Sequence, residues 1–135
     1  MDLTDSMFVS AAGLKAQGER LKVIAQNLAN VDSLATTPGG NPYRRKMITF
    51  REALDRELGL KTVQVDRVIE DRSEFQKRLD PAHPAADADG YVKLPNVNPL
   101  IELADMREAQ RSYEANLKAI EASRTMLQRT VDILR

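Results

Sequence analysis

The chain has 135 residues, of which 20 are basic and 20 acidic, so it carries no net charge. That length suits one ordinary domain, and the charge balance argues against a general nucleic-acid binder or a polybasic membrane anchor, both of which need an excess of one sign. Without cysteine there is no disulfide framework or thiol chemistry, and no apolar run approaches the ~20 residues of a membrane span.

The only aromatics are Phe8, Phe50, Phe75, Tyr43, Tyr91 and Tyr113, too few for a large aromatic core. The N-terminus, MDLTDSMFVSAAG, lacks the basic stretch of a secretory signal. A cytoplasmic protein is the simplest reading, and export by a route without a cleaved signal stays open.

The prolines, Pro38, Pro42, Pro81, Pro84, Pro95 and Pro99, leave two proline-free ends around a punctuated middle. In the N-terminal end, Met7, Leu14, Leu21 and Leu28 recur every seven residues, with Ala11, Gly18 and Ala25 at the companion heptad positions. The spacing predicts a helix from about Thr4 to Asn30, roughly 40 Å long. Gly13 and Gly18 each cost about 1 kcal/mol of helix propensity, so packing has to stabilise it. Asp2, Thr4 and Asp5 are capping candidates.

In the middle, TTPGGNPYRRKMITF reads as a turn followed by a strand. Thr49 and Glu52 form a possible capping box, with Leu54, Leu58 and Gly59 completing a short helix; an irregular loop is the alternative. KTVQVDRVIE alternates like a strand. DPAHPAADADG is a loop, and GYVKLPNV is a short extended piece.

Asn98-Pro99 then starts the second helix, as an N-cap followed by proline at the first helical position, with Glu102 in the first turn. Met106, Tyr113, Ile120, Leu127 and Leu134 are again seven apart; Leu103, Gln110, Leu117, Arg124 and Val131 accompany them. Gln110 and Arg124 interrupt the stripe, fixing register or facing another molecule. The helix should run from Pro99 to about Leu134, roughly 50 Å.

These elements imply a mainly α chain, with two long terminal helices packed as an antiparallel coiled-coil pair and a small irregular or β central segment. The corresponding division is 1–33, 34–97 and 98–135. Two helices alone bury too little to offset about 1–2 kcal/mol of backbone entropy per ordered residue, so neighbouring molecules are expected to cover the rest.

No catalytic, cofactor or metal site is expected. His83, the sole histidine, lies in a polar loop, and one histidine without cysteine supports neither a zinc site nor a Cys–His pair. Asp87-Ala-Asp89-Gly90 resembles part of a calcium loop, but Ala85 and Asn96 fall where essential ligands belong, so an Asx/Gly turn is the better reading. Pro38-Gly39-Gly40 lacks the lysine of a phosphate loop. Arg44-Arg45-Lys46 reads as a solvated or interface face, and Glu70/Asp71 as exposed charge.

Three segments carry a family resemblance: Asn27-Leu28-Ala29-Asn30 at the end of the first helix; Pro42-Tyr43-Arg44-Arg45-Lys46; and Gly90-Tyr91-Val92-Lys93-Leu94-Pro95-Asn96-Val97-Asn98, leading into a helix containing Arg111-Ser112-Tyr113-Glu114-Ala115-Asn116. Their order and spacing resemble the bacterial flagellar basal-body rod proteins, most closely the proximal-rod branch, over essentially the whole chain. Gln26 departs from the family's usual smaller residue, and the central segment varies in length. The resemblance implies a structural protein and not an enzyme. It implies a periplasmic rod that transmits torque from motor to hook, and export through the flagellar type III apparatus without a cleaved signal. The implied partners are other copies of itself, other proximal and distal rod proteins, and the rod-base/MS-ring adaptor, with neither nucleic acid nor membrane insertion. The terminal helices would form the inner tube and order on assembly. A helical adaptor that dimerises through its heptads is the competing reading, and an enzyme with a carboxylate site is a third.

On the heptad, Asn27 and Asn30 face away from the apolar stripe. Asn30 is expected to end the helix in the left-handed conformation open to asparagine. Asn27 is expected to bond across an assembly contact.

Overall fold

The computed structural model describes residues 2–135. The elements are α1 (Leu3–Ala29), β1 (Lys46–Asp55), β2 (Leu60–Glu70), β3 (Lys77–Leu79), β4 (Tyr91–Lys93) and α2 (Pro99–Ile133). Both helices lie where the heptads put them. They supply 27 and 35 residues, just under half of the chain, so it is less helical than "mainly α" implies.

Local chemistry sets the helix ends. The Asp2 carboxylate accepts the Leu3 N–H at 2.6 Å, and Asp5 reaches back to the Asp2 N–H at 2.9 Å. Asn98 caps α2 by accepting the Leu100 N–H at 3.0 Å. At the end of α1, Asn30 donates its side-chain amide to the Gln26 carbonyl at 2.8 Å. Among the described residues only glycines have positive φ, so Asn30 caps through its side chain and not through the left-handed conformation.

The chain forms two units by internal contact, each assembled from separated stretches. The first comprises Met1–Lys22, Ile48–Arg67 and Arg107–Arg135. Within it α1 and α2 run antiparallel: a Cβ on Gly13 would lie 2.8 Å from the Asn116 amide, and Arg20 pairs with Glu108 at 3.3 Å. The hairpin arms of β1 and β2 complete the unit. The expected Thr49–Gly59 helix is absent; these residues are strand as far as Asp55, then a turn. Thr49 donates its hydroxyl across the hairpin to Arg67 O at 3.2 Å, and Glu52 pairs with Lys61 at 2.8 Å. Asp55 accepts the Glu57 and Leu58 N–H groups, and Gly59 takes φ +64°, so the Asp–Gly turn overrides the capping-box pattern.

The second unit comprises Val23–Met47 and Val68–Met106. Its core is Val23, Ile24, Ala85, Val92 and Val97. β3 pairs antiparallel with β4, Arg78 opposite Val92. β3 was not foreseen, because all three residues are exposed and show no alternation. Gly90, at φ +83°, lies against Pro81, where a Cβ would come within 3.0 Å of the ring.

The helical faces differ most from expectation. In α1 the buried residues are Ser10, Gly13, Ala16, Val23, Ile24 and Asn27; in α2 they are Glu102, Ala109 and Ser123, with Asp105, Ser112, Asn116 and Ala119 half-buried beside them. Ser10, Gly13, Ile24 and Asn27 of α1, and all seven of these α2 residues, lie one residue, about 100° of rotation, before the apolar stripe; Ala16 and Val23 do not. Where α1 meets α2 the facing residues are mostly polar: Gly13 with Asn116, Arg20 with Glu108, and Asn27 with Glu102. Of the stripe residues, Met7, Leu14, Gly18, Leu21, Leu28, Met106, Ile120 and Leu127 are half-buried. Ala11, Ala25, Leu103, Tyr113, Leu117, Val131 and Leu134 are exposed, as are the interrupting Gln110 and Arg124. The expected seam of one chain's two helices along Met7–Leu28 is thus corrected.

Candidate functional site

The densest polar arrangement lies wholly in the second unit and joins all three recurrent segments. Asn27 is 1% exposed and uses its full hydrogen-bonding capacity. Its Nδ2 donates to Lys46 O at 2.8 Å and to Glu102 Oε2 at 3.1 Å; its Oδ1 accepts the Tyr43 hydroxyl and the Lys46 N–H, both at 2.9 Å. An aspartate here would lose both donors and set a second charge beside Glu102. The expected bond from Asn27 to another subunit is overturned, because every one of its polar groups is partnered within the chain.

Glu102 is fully buried. Its Oε1 accepts a close hydrogen bond from Arg45 Nε. The rest of the Arg45 guanidinium reaches Asp71 at 3.4 Å and Asp105 at 3.5 Å. The Arg45 N–H donates to Asn96 Oδ1 at 2.7 Å, and the Arg45 carbonyl accepts the Asp71 N–H at 2.8 Å. Asn96 in turn donates to Asp71 O at 2.9 Å. A buried carboxylate is tolerable only when paired and hydrogen-bonded, and this arrangement supplies both conditions.

The electrostatics follow. Burial raises the Tyr43 pKa, and the charges of Glu102 and Glu70 add to the shift. The Ser73 backbone N–H holds Asp71 below the ordinary carboxylate range, and hydrogen bonding and charge from Ser73 and Arg45 outweigh its partial desolvation. Burial works against the charged Arg45, but the hydrogen bonds and charges of Glu102 and Asp71 raise its pKa overall.

The basic triplet was therefore read on the wrong side of the surface. Arg45 turns inward, while Arg44 stacks on Phe75 at 4.2 Å and donates to Asp71 O at 2.9 Å. Lys46 contributes its backbone. Asp71 is a partner and not a free surface charge. Pro42, Gly90 and Val92 are buried; Lys93 reaches Asn41 at 3.2 Å, and Ala29 and Tyr91 are exposed. The sequence reading missed the cluster roles of Asp71, Asn96 and Glu102. The available signal was the excess of polar residues in motifs that open or close apolar elements. No group of three or more potential metal ligands occurs among the described residues. The cluster holds three separated segments in fixed register.

The model of the flagellar basal body rod FlgEFG protein C-terminal region matches residues 88–133, which carry β4, Asn96, Glu102 and α2. The flagellar basal-body rod protein FlgC of Agrobacterium fabrum is 47% identical over 127 residues, covering 94% of this chain and 91% of the relative. The chain belongs to the FlgC family of flagellar basal-body rod proteins. The FlgC of Borreliella burgdorferi is 40% identical and that of Salmonella typhimurium 38%, covering 99% and 98% of both chains respectively. In this FlgC-family chain the motif asparagine, Asn27, is an internal fastening point, as are Tyr43 and Arg45 of the second motif.

Proposed function

We infer that the chain is a structural subunit of the flagellar basal-body rod that polymerises through its terminal helices. One observation carries this: both helices bear a heptad stripe of large apolar residues, and not one of the fifteen assigned to assembly is buried within the chain. Leu117 is 41% exposed and Leu134 81%. Stripes of this length call for partner helices in a coiled-coil-like arrangement, with Ala11, Gly18 and Ala25 admitting close approach. Gln110 and Arg124 set the register.

In this reading the partners are further copies of the chain, other proximal and distal rod proteins and the rod-base/MS-ring adaptor, in a rod within the periplasm. Export proceeds through the flagellar type III apparatus without a cleaved signal. Contacts between unlike patches whose rotation does not close a ring generate a helix of subunits. Repetition of those contacts stiffens a shaft that carries torque from motor to hook, a mechanical role without a catalytic centre. The near full-length likeness to rod proteins favours it over a helical adaptor, which would form a closed dimer in sedimentation.

The test places Leu28→Asp or Leu127→Asp in a flagellated host. Expression and export should persist while rods and motility are lost; rods assembled from both variants would refute the reading. A deletion strain should stall after the membrane ring and before the distal rod.

A further inference from the structure

Within the first unit, α1 and the β1–β2 hairpin enclose a cleft of about 500 Å³. Phe8, Ala16, Leu58, Val63 and Val65 give it apolar walls, and Lys15, Glu19 and Asp55 supply charge of both signs. Phe8 is 49% exposed and Leu58 43%, so the chain leaves the cleft unfilled.

The same unit carries an apolar end that is largely exposed. Counting along both helices from the Gly13/Asn116 contact places Leu3 level with Met126, so α2 continues about seven residues, roughly 10 Å, beyond the start of α1. This overhang holds Leu127, Val131 and Ile133; Ile133 is 84% exposed. Its charges are Arg129, Asp132 and Arg135, again of both signs.

We propose that the overhanging end of α2 seats in the α1–hairpin cleft of a second copy of this chain. The proposal rests on the rod reading and specifies one of its contacts. The overhang cannot fill its own cleft: Phe8 is level with about residue 121 of α2, so Val131 lies about 15 Å further along an unbroken helix. A second copy brings the aliphatic end without bending the helix. Arg129 then has Glu19 and Asp55 as available partners, and Asp132 has Lys15. The cleft and the overhang are different patches, so the contact is head-to-tail and leaves a free patch at each end for the next copy.

The absence of cysteine makes the test unambiguous. The full chain carrying both Leu58→Cys and Ile133→Cys is purified, oxidised mildly across a concentration series and run without reductant; basal bodies assembled from it are treated likewise. A disulfide ladder extending beyond the dimer, absent from each single variant, is expected. Adding Val131→Asp should cut the ladder by about tenfold, the effect of losing one buried aliphatic contact. Monomer alone, or dimers formed equally by the single variants, overturns the proposal. So do assembled, motile rods that yield no ladder, and that result leaves the rod reading standing. Absence of the unsubstituted chain from basal bodies overturns the rod reading, while the ladder in solution still decides the contact. If Leu58→Cys impairs folding, Gln64→Cys replaces it at the cleft wall.

Discussion

Asn27 near the end of α1 donates its amide to the carboxylate of Glu102 in the first turn of α2, at 3.1 Å and out of contact with solvent. Seventy-five residues separate them in sequence. One amide thereby joins α2 to α1, and through Tyr43 and Lys46 it also holds the chain entering β1.

Asn27→Leu should unfold the second unit and not merely weaken assembly. It leaves the Lys46 N–H and carbonyl, the Tyr43 hydroxyl and Glu102 Oε2 each short of a partner, and each buried orphan costs about 1–3 kcal/mol. A loss of about 3 kcal/mol or more is expected in denaturant unfolding of the purified chain. A shift below about 1 kcal/mol would mean that the cluster is not the fastening it resembles.

Arg45→Met should cost about 3–5 kcal/mol, because it strands the buried Glu102 charge. The double variant Arg45→Met/Glu102→Leu should recover part of that loss, since neither charge remains. A double-mutant cycle measures the coupling, and additive losses would contradict the pairing.

Gly13 and Gly18 predict different outcomes for the same substitution. A Cβ at Gly18 meets nothing within 4 Å, so Gly18→Ala should stabilise the isolated chain by about 1 kcal/mol through helix propensity. At Gly13 the Asn116 side-chain amide occupies that space at 2.8 Å and donates to Ser112 O, so Gly13→Ala has to displace it and should stabilise less than Gly18→Ala. Thermal unfolding distinguishes them. If Gly18 also admits a neighbouring helix, Gly18→Ala should impair rod assembly while raising chain stability.

The titrating groups of the cluster give stability two pH limits. Asp71 has a depressed pKa, so its contribution is present above its ordinary value of 3.8 and is lost as pH falls through the lower, folded-state value. Tyr43 has a raised pKa, so its contribution is present below its ordinary value of 10.0 and is lost as pH rises above it. Asp71→Asn should flatten the acid limb of a stability-versus-pH curve, and Tyr43→Phe the alkaline limb. An unchanged limb in either variant would remove that residue from the account.

The two long helices were legible in the sequence because their signals are local: the Asp2 and Asn98 caps, proline at position 99 and a sustained seven-residue period. The second strand and the closing extended piece were legible for the same reason, and three short motifs pointed to the family. Only the tertiary structure decided which face of each helix the chain uses on itself. A stripe of large residues marks a face that needs burial but does not say by whom. The contact within the chain went to the neighbouring face, where Gly13 meets Asn116 and Asn27 meets Glu102. Tertiary structure also placed Asn27, Arg45, Asp71 and Glu102 together, since hydrogen bonds between residues so far apart leave no period to read. β3 became a strand only because β4 lies beside it.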